Sequence, residues 1–241
     1  MGECIIINRP KIITIVLPEY SYTGNNLLVD DGNGNWRLKF LTSGTLVFNR
    51  IPSNLIDVFL VGGGGGNGNS ERITDWCAAG GGGYTYTAKN LSVQTGMEYE
   101  IIVGAGGTRP TVSNTQTRGG TSSAFGFSAE GGYSGKAFNG GNGGSGGAGS
   151  NSTIPGANGG NGEAGTVYGA KGGIGQGTTT REFGDENAQV YATGGYFSPQ
   201  NGINNQGNGT LNSGDGGGGT DNNTKHTIGG SGIVIIRNHR N

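Results

Sequence analysis

The sequence predicts a mostly β protein with little or no α-helix: a β-sandwich or jelly-roll-like base carrying a glycine-rich insert of packed polyglycine II helices. Three observations lead there. Short β-branched runs separated by turn signals fill the first quarter of the chain and return at its end. Glycine supplies 56 of 241 residues, while hydrophobic residues make up only 31%. The glycines are also concentrated, with five in residues 1–61, fifty-one in residues 62–232 and none in the last nine.

The strands follow in order. CIIIN (4–8) and KIITIVL (11–17) are β-branched, with Pro10 and Pro18 as breakers. NLLVDDGNGNWRLKFL (26–41) reads as a hairpin about Asp31, Gly32, Asn33 and Gly34. In its second arm Trp36, Leu38 and Phe40 alternate with Arg37 and Lys39, the pattern of a strand with one wet face. GTLVFN (44–49) and NLIDVFLV (54–61) come next at hairpin spacing. GYTYTAKNLSV (83–93) and MEYEIIVG (97–104) follow, joined by a turn at Gly96, and GIVIIR (232–237) closes the set. The organisation predicted is an N-terminal β region for attachment (1–61), a glycine-rich domain (62–232) whose strands at 83–104 join the β base, and a closing strand (233–241).

Within the glycine block the period is three: Gly-Gly-X repeats through GGNGGSGGAG (140–149), and glycines recur at 156, 159, 162 and 165. Polyproline II geometry has three residues per turn, and polyglycine in that form keeps every N–H free to bond neighbouring helices. Collagen requires an unbroken register and abundant proline, and this chain has six prolines. A flexible linker would lack apolar anchors, whereas this block carries Phe125, Phe127, Ile154, Val190 and Tyr191 among others. Order is the expectation.

Chemical motifs are few. Gly63, Gly65 and Gly68 match a dinucleotide fingerprint in spacing, but the acid-tipped second strand is missing and such spacing arises by chance in glycine runs. The turn at 30–35 has Trp36 and Thr42 where a calcium loop starting at Asp31 needs glycine and glutamate. His226 and His239 lie in polar surroundings without a nucleophile elbow, and Asp185 with Glu186 sits in a turn. No enzyme, cofactor or metal is expected. Cys4 and Cys77 make neither a disulfide framework nor a zinc pair. A net charge of −1 argues against nucleic acid, and no apolar run spans a bilayer. The N-terminus lacks the layout of a signal peptide.

Aromatic residues in loops remain the candidates for recognition: Trp76, Tyr133, Phe138, Tyr168, Tyr196 and Phe197, with the amides of Asn201 and Asn204 beside them. Flat rigid rings give contact area at low entropic cost. The competing role for each ring is to staple the glycine packing.

IDVFLVGGGGG (56–66), GGGGYTYTAKN (80–90), YEIIVGAGG (99–107), GGTSSAFGFSAEGG (119–132), GGIGQGTTTREFG (172–184) and GGSGIVIIRN (229–238) resemble glycine-rich bacteriophage tail-fibre proteins. That resemblance, from about Asn25 onward, implies a virion protein made in the host cytoplasm. It implies a sandwich of polyglycine II helices whose far loops bind a bacterial surface protein or glycan. Other virion proteins would hold the N-terminal β region, and the assembly would be a homotrimer or a monomer on a trimeric fibre. A purely architectural head or tail component is the alternative. A weaker resemblance runs to the glycine-rich region of anaplastic lymphoma kinase, a β-sandwich with polyglycine helices inserted. The segment YFSPQNGINNQGNGTLNSGD (196–215) departs from the pattern and marks a place for partner specificity.

Overall fold

LIDVFLV, at Leu55–Val61, is a strand in which every residue after the first is buried, because both of its faces are covered. Ile56, Val58 and Leu60 point into the main core, while Phe59 and Val61 point the other way into a second apolar cluster. The same division holds for Ile233–Asn238, where Val234 and Ile236 face one core and Ile233 and Ile235 the other. These two strands pair antiparallel and form the spine of the molecule.

A computed structural model describes residues 17–149, 172–197 and 207–240. In chain order the strands are β1 (Glu19–Tyr22), β2 (Asn26–Gly32), β3 (Asn35–Phe40), β4 (Gly44–Arg50), β5 (Leu55–Val61), β6 (Thr85–Ser92), β7 (Glu98–Ile102), β8 (Ser122–Ala124), β9 (Phe127–Ala129) and β10 (Ile233–Asn238). They form two five-stranded antiparallel sheets, ordered β1-β4-β7-β8-β9 and β2-β3-β10-β5-β6. The fold is a β-sandwich, as the sequence predicts. Trp36, Leu38 and Phe40 of β3 meet Leu46 and Phe48 of β4 and Ile101 of β7 between the sheets. Each fully buried side chain of this size contributes about 1.5–3 kcal/mol.

The β2–β3 hairpin turns through Asn33 and Gly34, both at positive φ (55° and 78°). That is the two-residue type I′ geometry that Asn-Gly favours. β1 and the short β8–β9 hairpin are absent from the sequence reading, and the latter lies inside the glycine block. Their three- and four-residue lengths give too little alternation to read. The expected strands over 4–8 and 11–17 fall outside the described residues, apart from Leu17.

The second arm of that hairpin corrects one expectation. Arg37 and Lys39 of β3 are only partly exposed: a segment over 178–192, with a 3-10 turn at Glu182–Gly184, covers much of them. Phe183 and Tyr191 from this segment pack on Phe59 at ring distances of 6.1 and 5.5 Å.

Past the strands the glycine runs begin. Gly62, Gly65 and Gly68 donate backbone bonds to Tyr84, Gly81 and Ala78 at 2.9, 2.8 and 2.8 Å. Gly64 and Asn67 donate to Gly230 and Thr227, again three residues apart, and Gly63 donates to Gly120. The carbonyls of Gly63 and Gly66 accept from Gly132 and Gly135, that of Gly64 from Gly107, and that of Gly65 from Gly217. The run 62–68 thus bonds six flanking segments. A repeat of three on each side is the signature of a threefold extended helix, the packed polyglycine II arrangement.

Glycine is required here for proximity. A Cβ on Gly63, Gly64 or Gly65 would stand 2.0, 2.0 or 2.1 Å from a carbonyl oxygen of Ala105, Asp215 or Tyr133. None of the three has positive φ, so left-handed backbone is not what the position demands.

Candidate functional site

The lattice starts at the sandwich, where Val61 of β5 pairs with Thr85 of β6, and the bond from Gly68 to Ala78 marks its other end. At ~3.1 Å per residue the run 62–68 spans roughly 20 Å. Beyond it, loops 69–76, 108–117 and 220–228 come together.

These loops are tied by side-chain amides. Asn223 is the hub: its Oδ1 accepts from the Ser70 N–H (3.2 Å) and the Cys77 thiol (3.1 Å), and its Nδ2 donates to the Ser70 carbonyl (2.7 Å). Asn69 Nδ2 donates to the Pro110 carbonyl at 2.9 Å, and Ser113 Oγ to the Ser70 carbonyl at 2.8 Å. Asn67, fully buried, donates to the Lys225 carbonyl at 3.0 Å and accepts from the Thr227 N–H at 3.0 Å. Burial pushes the Cys77 thiol pKa up, with Arg109 opposing, so the thiol stays protonated. Such fully bonded networks fix one conformation. What they hold outward is aliphatic: Ile73 is 70% and Val112 62% exposed, at the tips of two of the loops.

Arg109 runs beneath these tips. Its Nη1 donates to the Asn223 carbonyl at 2.7 Å, and its Nη2 donates to Asn69 Oδ1 and to Asn223 Oδ1. Burial holds its pKa below the ordinary arginine value, with the Cys77 sulfur opposing. A hollow of about 360 Å³ lies beside it, lined by Asn69, Arg109, Pro110, Thr111 and His226.

The residues expected to recognise a partner are placed as follows. Phe197 is 2% exposed, packed on Ala79 and Ala148, with Trp76 half-buried against it at 5.6 Å. These two rings staple the lattice. Tyr133 is half-buried, with the Arg118 guanidinium 4.4 Å above its ring. Phe138 is half-buried next to the Lys136–Asn139 bridge. Tyr196 is half-buried and lines a small hollow with Thr193, Asn208 and Asp215. Tyr168, Asn201 and Asn204 lie outside the described residues. Sequence reasoning missed Asn69, Arg109 and Asn223, and polar residues flanking a glycine run were the available signal.

The fingerprint glycines spend their amides inside the lattice. The amides of Gly63, Gly65 and Gly68 already bond Gly120, Gly81 and Ala78.

A second group of charges lies on the outer face of β3 and β10. Glu182, 1% exposed, accepts from Arg37, Lys39 and Tyr191. Arg237 pairs with Asp57 at 3.0 Å and with Asp185, and His239 Nδ1 meets Asp57 at 2.6 Å. Burial pushes the Asp57 carboxyl pKa up. Bonds from His239, the Asn90 N–H and Arg237 outweigh it and hold that pKa below the usual carboxylate value. The pairs that Arg37, Lys39 and Arg237 make with Glu182 and Asp185 clamp segment 178–192 onto the sheet.

A sandwich whose strands run on into a glycine lattice, capped by a knot of loops, defines a scaffold of the glycine-rich class. The chain belongs to the glycine-rich domain family, whose model matches residues 42–239. That span includes the lattice and β4 to β10, and leaves the β2–β3 hairpin outside. No curated protein matches the sequence.

Proposed function

We propose that this protein is a non-enzymatic recognition module of a bacteriophage virion, a tail-fibre tip that meets the bacterial surface through the loops ending its glycine lattice. The observation that carries this reading is the placement of Ile73 and Val112. Two large aliphatic side chains stand exposed on loops whose backbones are held by buried amide bonds, roughly 20 Å from the sandwich. Exposed apolar groups on rigid loops are what partner contact rewards, because little ordering entropy is lost on binding. The resemblance of GQGTTTREFG and SGIVIIR to phage tail-fibre segments supplies the biological setting.

Cell adsorption tests it. Ile73→Ser with Val112→Ser leaves the lattice bonds in place and should reduce adsorption of a virion carrying the variant by at least ~10-fold, about 1.4 kcal/mol. Unchanged adsorption would instead favour an architectural component of head or tail.

A further inference from the structure

We propose that the hollow bounded by Asn69, Arg109, Pro110, Thr111 and His226 binds a compact oxyanion, a carboxylate or phosphate group carried by a surface glycan. The inference deepens the recognition reading and rests on it for the identity of the carrier, though the anion site itself stands on local chemistry.

Arg109 is permanently charged and offers five N–H donors. Three are engaged, and every acceptor is neutral: Asn69 Oδ1, the Asn223 carbonyl and Asn223 Oδ1. Nε is enclosed without a partner among the described residues. Arg37, Arg237 and Arg240 are also covered, and each meets a carboxylate. Arg109 forms no ion pair among the described residues. The carboxylates of the surrounding loops are engaged elsewhere: Glu71 with Asn114, Asp75 with the Arg72 N–H, and Asp221 with Lys225. The Cys77 thiol nearby is kept neutral by burial, and the other ionisable side chain on the lining is His226.

A part-covered cation without a countercharge is solvated less well than in water. An anion entering from outside offsets that loss. The lining carries no carboxylate to repel it, and about 360 Å³ matches the smaller ligand sites. Asn69, held through both atoms of its amide, fixes the guanidinium, while Thr111 and His226 stand exposed on the rim. The amide framework thus positions a charge that the protein itself leaves unneutralised.

The test uses the full chain with inorganic phosphate, glucuronate and neutral glucose as probes, against chloride at matched ionic strength. Phosphate or glucuronate should raise the melting temperature and shift the amide resonances of Arg109 and Thr111. Glucose should do neither. Thr111→Glu places a carboxylate on the rim, where it competes for Arg109, and should weaken oxyanion binding by ~10-fold or more. A stronger response to glucuronate assigns an acidic sugar, and one to phosphate assigns a phosphorylated glycan. An equal phosphate response in wild type and Thr111→Glu, or no wild-type response above chloride, overturns the proposal. Adsorption separates it from the reading it rests on. Oxyanion binding without adsorption sinks recognition alone, while adsorption without oxyanion binding sinks the anion site alone.

Discussion

Replacing Gly144 by alanine adds one methyl group to a place with no room for it. The new Cβ would stand 2.0 Å from the Gly83 carbonyl oxygen, where ordinary contact begins at 3.4 Å, so the two runs must part by about 1.4 Å. Two bonds join them at this point, Gly144 N–H to the Gly82 carbonyl and Gly82 N–H to the Ser145 carbonyl, each 2.9 Å. Lengthened by that much, neither remains a hydrogen bond. Counted at about 1–3 kcal/mol for each of the two broken bonds, a loss of roughly 2–6 kcal/mol is expected. The opposing gain from a stiffer unfolded chain is only ~0.4–1 kcal/mol. Against a domain stability of about 5–15 kcal/mol, the change is large. Denaturant unfolding measures it, and amide exchange at Gly82 and Gly144 locates it. Ser145→Ala is the control. Ser145, the variable residue of its Gly-Gly-X unit, is fully buried, with Oγ unpartnered among the described residues. Removing that hydroxyl should be neutral or stabilising. A cost below ~1 kcal/mol for Gly144→Ala, or equal costs at both positions, would refute close approach as the reason for glycine.

Phe197→Ala should destabilise by ~3 kcal/mol or more, because the ring fills the space between Trp76, Ala79 and Ala148; Tyr196→Ala should cost much less, and thermal melts of the two variants compare them. The Asp57 carboxyl, held below an ordinary aspartate value of ~3.9, contributes stability that is present above that value and lost as pH falls through the folded one. Asp57→Asn should therefore flatten the acid side of a stability–pH curve, at a cost near neutral pH of about 3 kcal/mol, and an acid limb identical to wild type would assign the dependence elsewhere. Glu182→Gln weakens the clamp on Arg37 and Lys39 and should bring forward proteolysis within 178–192, followed by mass spectrometry of the fragments.

The sandwich was legible because its strands carry their own signals. LIDVFLV and GIVIIR are apolar runs with one charge each, Asp57 and Arg237, which suits strands covered on both faces, and Asn-Gly names its own turn. The lattice was legible as a three-residue period. What stayed hidden depends on the partner segment. Nothing local to Arg37 and Lys39 says that Glu182, about 145 residues away, will cover them. Aromatic loop residues looked like binding groups because ring chemistry suits both contact and packing, and Phe197 resolves to packing only once Ala79 and Ala148 are beside it. Arg109 was passed over for the same reason: its lack of a countercharge is a property of its neighbours in space.

The position of β10 has a consequence in time. β3 and β5 do not pair with each other; each pairs with β10, which lies between them. Until residues 233–238 have left the ribosome, that sheet can form only as two separate strand pairs, β2–β3 and β5–β6, with apolar edges open. The runs that flank 62–68 likewise arrive as late as Gly230. Folding is therefore withheld until synthesis has passed the last strand, and an interrupted chain exposes strand edges to its neighbours. Slower translation or added chaperone over that interval should therefore change the yield of folded protein.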